Sequence, residues 1–472
     1  MKAGSVEVTF KPDRSAIMQG SQDAGVRVLV SARPLSAHPT AAPPVTAVVL
    51  LDCSGTVRRL RVDDDQAKHW VDVARERSEV RVADSDGRTV YMLRGQTLEE
   101  VRAVTSSAFS LATAALGKVV AGLRDNDVCS LVGFATTARV LYDGRPRLRG
   151  SSLQDALSAM QKDPASTGLG DGTRMQDGVR LAAELLRSDP STRRVRRLVI
   201  ISDGIVEDPA ESLRELDQLR NQGIAVTTVG VGQEFDEEFL IRIADWTGGS
   251  YHYAPKPEDI DARLAEDFGT FHAVAGRNLR VAARGHAGAV VNSVSQLTPQ
   301  MRMFEEIRLK DDWFEVEVGD IAGREGLSLL AEFSVPWLTV GKYAVGELQL
   351  HWQDPESGQT HTSQFMANIE CLPQDATPQE ADPEVQDLYM RLQVYRGERA
   401  AQWAHEGGRA GLSTVRLREA SQILNRLGES ELADRFERQA ADVEEQQVDS
   451  DRTKIVKDWV RRLGQRGKDH PA

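Results

Sequence analysis

Five oxygen-bearing side chains carry most of the chemistry in this sequence. The first three close the run Ala47-Val-Val-Leu-Leu-Asp52-Cys53-Ser54-Gly55-Thr56, an apolar strand ending in a carboxylate with hydroxyls two and four residues on. The fourth, Thr173, ends the Gly-rich loop Gly168-Leu-Gly-Asp-Gly172-Thr173, predicted to open a helix with Thr173 at its N-terminus. The fifth, Asp203, ends a second apolar strand, Leu198-Val-Ile-Ile-Ser202-Asp203-Gly204. At the carboxyl ends of central strands, such loops present hard oxygen donors into the crevice where α/β sheets bind ligands. Oxygen-only donors select Mg2+, Mn2+ or Ca2+ over softer metals. One loop cannot complete an octahedron, so further donors must come from neighbouring loops.

The elements that must position these residues fall into three textures. Residues 1–33 alternate apolar and polar (Val6, Val8, Phe10; Val26, Val28, Val30), the period of strands buried on one face. Residues 34–44 hold four prolines and read as a linker. From 45 to 271, short continuous apolar runs (Val45–Leu51, Val128–Phe134, Arg197–Ile201, Ile224–Val231) alternate with helical patterns at Leu98–Leu123, Met175–Leu186, Pro209–Gln222 and Glu237–Ala244. That alternation predicts an α/β, doubly wound, mostly parallel sheet. Residues 277–371 return to alternating strands with turn signals, an antiparallel β-sandwich. The N-terminal strands have no sheet of their own and a lone hairpin is marginal. They are expected to join the sandwich, with the α/β domain inserted into it. Residues 384–446 form a C-terminal α-helical region, with Gly428 as a stop and Ser430 capping the next helix. Residues 452–467 form a terminal amphipathic helix. It is expected to dock on the chain's own domains; the alternative is an anionic surface.

The set Asp-x-Ser-x-Thr, Gly-Thr and apolar-strand-Ser-Asp-Gly, in that order, resembles the von Willebrand factor type A (VWA) domain with its metal-ion-dependent adhesion site. Val226-Thr-Thr-Val-Gly-Val-Gly232 and Ala244–Tyr253 resemble the last strands of that family. The resemblance implies that the hydroxyls of Ser54, Thr56 and Thr173 bind Mg2+ (or Mn2+ or Ca2+) directly, while Asp52 and Asp203 hold its waters. It also implies an open position that an Asp or Glu of a partner protein fills, making binding metal-gated. Thr56 stands where Ser is usual and keeps the hydroxyl. Asp171 precedes Gly172-Thr173 where Gly is usual, and would either strengthen cation binding or repel an acidic ligand. The first helix of the family follows its motif closely; here residues 57–96 intervene, with Asp63-Asp64-Asp65 and a hairpin-like Val80–Met92. Such an insertion either gates the site or is a tolerated surface elaboration. VWA domains followed by a sandwich are similar to the inter-alpha-trypsin inhibitor heavy chains and their bacterial relatives. The resemblance makes AAA-type ATPases and signalling kinases or phosphatases candidate partners.

Composition narrows the rest. A chain of 472 residues with 40% hydrophobic and 27% charged residues has the core and length for two or three domains. Its net charge of −13 argues against nucleic acid as a partner. Cys53, Cys129 and Cys371 cannot form a disulfide framework, and no Cys or His spacing suggests zinc. No apolar run spans a membrane and the start lacks a secretory apolar region, so the expectation is a cytoplasmic protein, and the resemblance implies a bacterial member. Cys53 and Cys129 read as buried packing thiols, Tyr251-His252-Tyr253 as structural, and Arg193–Arg197 as a solvated lip. The rival reading is a haloacid dehalogenase-like phosphatase using Asp52 as nucleophile. Ser54 then stands where that chemistry needs a second Asp as general acid/base, so no enzymatic activity is expected. A scaffold with a vestigial metal site is the third possibility.

Overall fold

The computed structural model describes residues 2–21, 24–35, 43–58, 64–85, 88–104, 107–121, 123–144, 153–162, 168–188, 194–232, 235–255, 259–304, 307–377, 379–445 and 450–465. The chain opens with β1 (Lys2–Ala3), β2 (Val6–Pro12), β3 (Ala16–Met18) and β4 (Ala24–Pro34). The α/β unit begins at β5 (Val45–Asp52). It is interrupted at once by α1 (Asp64–Glu76), the hairpin β6 (Val80–Ser85) and β7 (Arg88–Leu93), and α2 (Gly95–Val104). It resumes with α3 (Ala108–Ala121), β8 (Val128–Phe134), β9 (Ala138–Tyr142), α4 (Leu153–Lys162), α5 (Gln176–Arg187) and β10 (Val195–Ser202). It closes with α6 (Pro209–Arg220), β11 (Ala225–Val231), α7 (Glu237–Thr247), β12 (Tyr251–Ala254) and α8 (Ile260–Phe271).

Its sheet runs β12-β11-β10-β5-β8-β9, parallel except for the antiparallel edge strand β9. Side chains alternate across a strand. Val45, Ala47, Val49 and Leu51 of β5 therefore enter one core, with residues of α3, α4 and α8. Val48 and Leu50 enter the other, with residues of α5, α6 and α7. Burial on both faces is why these strands read as unbroken apolar runs. A side chain such as Leu50, with 0% exposure, contributes roughly 1.5–3 kcal/mol by leaving water. Asp52 and Ser202 end the two central strands, so their loops emerge side by side.

The sandwich holds β13 (Gly276–Gly285), β14 (Val290–Thr298), β15 (Arg302–Met303), β16 (Arg308–Lys310), β17 (Trp313–Ile321), β18 (Leu327–Val335), β19 (Gly341–Gln353) and β20 (Thr360–Leu372). One sheet is β1-β2-β4-β18-β14-β15 and the other β16-β17-β13-β19-β20-β3. β4 pairs antiparallel with β18 over nine residues, Ala32 opposite Leu327 through Ala24 opposite Val335. The N-terminal strands thus complete the sandwich and the α/β unit is an insertion within it. β3 adds to the far sheet through a parallel pairing with β20.

Four helices follow: α9 (Pro383–Glu406), α10 (Ala410–Arg426), α11 (Ser430–Glu444) and α12 (Ser450–Arg461). Their shared core takes in Leu29, Leu297, Met301 and Leu330, so the helical region covers the outer face of the β4–β18–β14 sheet. The terminal helix docks on its own chain. Val456 and Val460 join the helical core while Ile455 packs against the α/β core.

Several expectations need correction. The helical pattern at Leu98–Leu123 divides into α2 and α3, and α3 is the first helix to cover the sheet. Phe109 N–H bonds Val57 C=O at 3.0 Å, so the insertion leaves and returns at one point and extends past residue 96. Glu79 closes its base by accepting from Gln96 N, Thr97 N and Thr97 Oγ1. Asp63, most of the proline linker and Arg193 lie outside the described residues. Arg197 is no solvated lip: it is 6% exposed and pairs with Asp320 of β17 at 2.5 Å, tying the α/β unit to the sandwich. Gly428 stops α10 in the left-handed region (φ 78), but Ser430 begins α11 inside the helix, and Glu429 is its N-cap without a side-chain bond.

Candidate metal centre

Asp52 is the last residue of β5 and is fully buried. Its Oδ1 accepts from the backbone N–H of Ser54 (2.9 Å), an Asx turn that folds the chain sharply at the strand end. Its Oδ2 accepts from the Ser202 hydroxyl at the end of β10 (2.7 Å). Burial pushes the Asp52 carboxyl above the ordinary carboxylate range, against the hydrogen bonds from Ser202 and Ser54. The turn sets Ser54 Oγ 2.9 Å from Thr56 Oγ1, and Thr56 Oγ1 donates to Asp203 Oδ1 at 2.9 Å. A hydroxyl has one proton, so Ser54 is the donor to Thr56.

Thr173 faces the same space. A Cβ added to Gly204 would lie 3.2 Å from Thr173 Oγ1 and 3.5 Å from Thr56 Oγ1, so both hydroxyls border one point that glycine leaves open. Loops after β5, after β10 and before α5 thus bring all five sequence-identified residues together. Ser54, Thr173 and Asp203 are buried and Thr56 is half-buried. The donors are all oxygen, the set that a hard divalent cation prefers. Among the described residues no three His, Cys, Asp or Glu side chains gather as a metal site, so the candidate centre rests on hydroxyls together with carboxylates.

One detail differs from expectation: Thr173 is not the helix N-terminus. α5 starts at Gln176 with Met175 as N-cap. The Thr173 loop is held instead by residues that sequence reasoning missed. Glu207 Oε1 accepts from Thr173 N and Glu207 N donates to Thr173 O, both at 2.9 Å. Thr136 Oγ1 accepts from Gly172 N at 2.9 Å. Asp208 accepts from Met175 N (2.7 Å) and Gln176 N (3.1 Å), so it caps α5 although Asp208-Pro209 reads as the start of α6. Arg58 bonds the Ser54 carbonyl (3.2 Å) and the Gly170 carbonyl (2.9 Å) and pairs with Asp171. The Asp171 charge therefore has a local partner, although its side chain is 85% exposed. Exposed Ile205 and Glu207 form the rim.

Cys53 points away into the core beneath α3, and burial drives its thiol far above the ordinary range. Burial likewise pushes Cys129 up to about 12, so both are packing groups rather than nucleophiles.

Residues 100–264 match the von Willebrand factor type A domain, and residues 383–466 match the Sll0103-like C-terminal alpha-helical domain. The chain is 24% identical over 328 residues to uncharacterized protein sll0103 of Synechocystis sp., covering 68% of this chain and 73% of that one. Its fold is similar to that of a von Willebrand factor type A protein from Catenulispora acidiphila (14% identity, 98% of each chain, TM-score 0.68). It is also similar to the ArnB paralog VWA2 from Sulfolobus acidocaldarius (15% identity, 98% of this chain and 99% of that chain, TM-score 0.56). The match at 100–264 contains Thr173 and Asp203 but starts after Asp52–Thr56, which α1, the β6–β7 hairpin and much of α2 separate from it in sequence.

Proposed function

We propose that this von Willebrand factor type A domain protein is a metal-dependent protein-binding module. A VWA domain fits a protein-interaction role in general. The finer reading rests on one observation, the convergence of the Ser54, Thr56 and Thr173 hydroxyls with Asp203 at a point that Gly204 keeps clear. These hydroxyls would hold one divalent cation, Mg2+ (or Mn2+ or Ca2+), with Asp52 and Asp203 accepting hydrogen bonds from its waters and from the hydroxyls. The cation supplies positive charge and an exchangeable position for an anionic oxygen. This chain's part is to fix the donors, keep the pocket floor dry, and leave the side facing Ile205 and Glu207 to a partner's Asp or Glu. Buried Asp52 favours this reading over a phosphatase, since both its oxygens accept hydrogen bonds and neither is exposed to attack a substrate. No nucleophile or general base is required, and we assign no enzymatic activity. An AAA-type ATPase or a signalling kinase or phosphatase is the candidate class of partner.

Capture from native lysate tests the reading. Proteins held in Mg2+ should be released by chelator and should be missing when the bait carries Thr173→Ala. A retained set that is the same under all three conditions would remove the metal from the account.

A further inference from the structure

The loop that presents Thr173 is built largely of glycine. Gly168, Gly170 and Gly172 fill three of the six positions 168–173, and Gly168 (φ 65) and Gly170 (φ 89) lie in the left-handed region. Glycine loses more backbone freedom on ordering than any other residue, so such a loop keeps one shape only where other groups hold it. Thr136 and Glu207 hold it through Gly172 N and Thr173 N. The loop after β5 holds it as well. Gly55 N donates to Asp171 O at 3.0 Å, and a Cβ on Gly55 would lie 3.4 Å from Asp171 Cβ, an ordinary contact distance. The loop with Ser54 and Thr56 therefore lies directly against the loop with Thr173.

One side chain spans this contact. Arg58 follows Thr56 by two residues and opens the insertion, whose entry is fixed beside it by the bond from Phe109 N–H to Val57 C=O. Its Nε donates to Ser54 O at 3.2 Å. Its Nη2 donates to Gly170 O, 112 residues away in sequence, at 2.9 Å, and pairs with Asp171. One planar group thus takes acceptors from both loops, two of them main-chain carbonyls. The Asp171 carboxylate is exposed, and an exposed ion pair adds little by itself. The carbonyl bonds therefore fix the geometry, while Asp171 offsets the charge. Charge and geometry predict opposite signs for loss of this group. A guanidinium beside a cation site repels the cation, so by charge alone a chain without Arg58 binds the cation better; by geometry it binds worse.

We propose that Arg58 is a positioning residue for the metal centre, a clasp that holds the Ser54–Thr56 loop against the Thr173 loop before any cation binds. This role rests on the metal-binding reading above, and it makes the insertion part of the frame of the site. Lysine keeps the charge but has no donor at Nε, so Arg58→Lys should lose the Ser54 carbonyl; Arg58→Gln removes the charge as well. In Mn2+ titration of the full chain, read by electron paramagnetic resonance of the free ion, Arg58→Lys should bind about tenfold or more weakly, the usual loss when a group supporting metal ligands is removed. Arg58→Gln should also bind more weakly than the parent, despite its lost positive charge. Hydrogen–deuterium exchange in chelator reads the clasp without the metal. Segments 54–58 and 168–173 should exchange faster in both variants, while β5 and β10 stay as protected as in the parent. Parental Mn2+ affinity in Arg58→Lys, parental or tighter affinity in Arg58→Gln, or parental exchange in the two segments would overturn the proposal. Lost protection across β5 and β10 would make Arg58 a general stabiliser and overturn it too. If the parent takes up no Mn2+, the metal reading fails and the clasp role with it; if the parent binds and the variants match it, only the clasp role fails.

Discussion

At the scale of residues, the centre is a chain of oxygen atoms with little redundancy: Ser54 donates to Thr56, Thr56 to Asp203, and Ser202 to Asp52. A cation that binds only the folded chain stabilises it by RT ln(1 + [L]/Kd), about 2.7 kcal/mol at a hundredfold excess over Kd. Millimolar Mg2+ should therefore raise the melting temperature, and Asp52→Ala or Thr173→Ala should erase the rise. Thr56→Ser, which keeps the hydroxyl, should preserve it. Identical melting curves in Mg2+ and in chelator would remove the site. The convergence of these five side chains was legible in the sequence because each follows a strand or glycine signal that fixes its place. Their supports were not. Glu207 and Thr136 hold the Thr173 loop through backbone groups, and nothing in the spacing of a lone Glu or Thr reports a bond to a main-chain N–H more than thirty residues away.

At the scale of elements, position is set by strand ends and helix caps. The buried strands were readable as apolar runs, and the sandwich as alternation, because period and burial follow directly from sheet geometry. Helix edges were less readable. The pattern from Leu98 hid the break between α2 and α3, since residues on both sides are good helix formers. Arg197 was misread because its partner Asp320 lies in another domain. Asp208 was missed as the cap of α5 because its sequence neighbour is α6. Removing it should be felt at both the helix and the centre. Asp208→Ala should cost about 1 kcal/mol of stability, the usual loss of a cap, and should also weaken Mg2+ binding by loosening the turn after Thr173. If metal affinity survives with the stability loss alone, Asp208 serves the helix and not the site.

At the scale of the whole molecule, α12 joins three bodies. Lys457 pairs with Glu237 (3.0 Å) and Glu238 (2.8 Å) of α7, and Arg461 grips Asp245 through two nitrogens (2.5 and 3.0 Å). Beside them, Glu398 of α9 is pushed up to about 7, by burial first and then by Glu238 and Glu237, against the pull of Lys457. Its folded pKa lies above its ordinary 4.5. The folded chain therefore holds that proton more tightly, and stability falls as pH rises from about 4.5 through about 7. The span corresponds to about 3 kcal/mol. Glu398→Gln should flatten this part of the stability profile and exceed the parent in stability at pH 8; an unchanged slope would contradict the assignment. The central claim is best tested on the intact chain. Titration of the full chain with Mn2+, followed by electron paramagnetic resonance of the free ion, should give one bound ion per chain in the parent and none in Thr173→Ala. Equal uptake by parent and variant, or no uptake by either, would contradict the account.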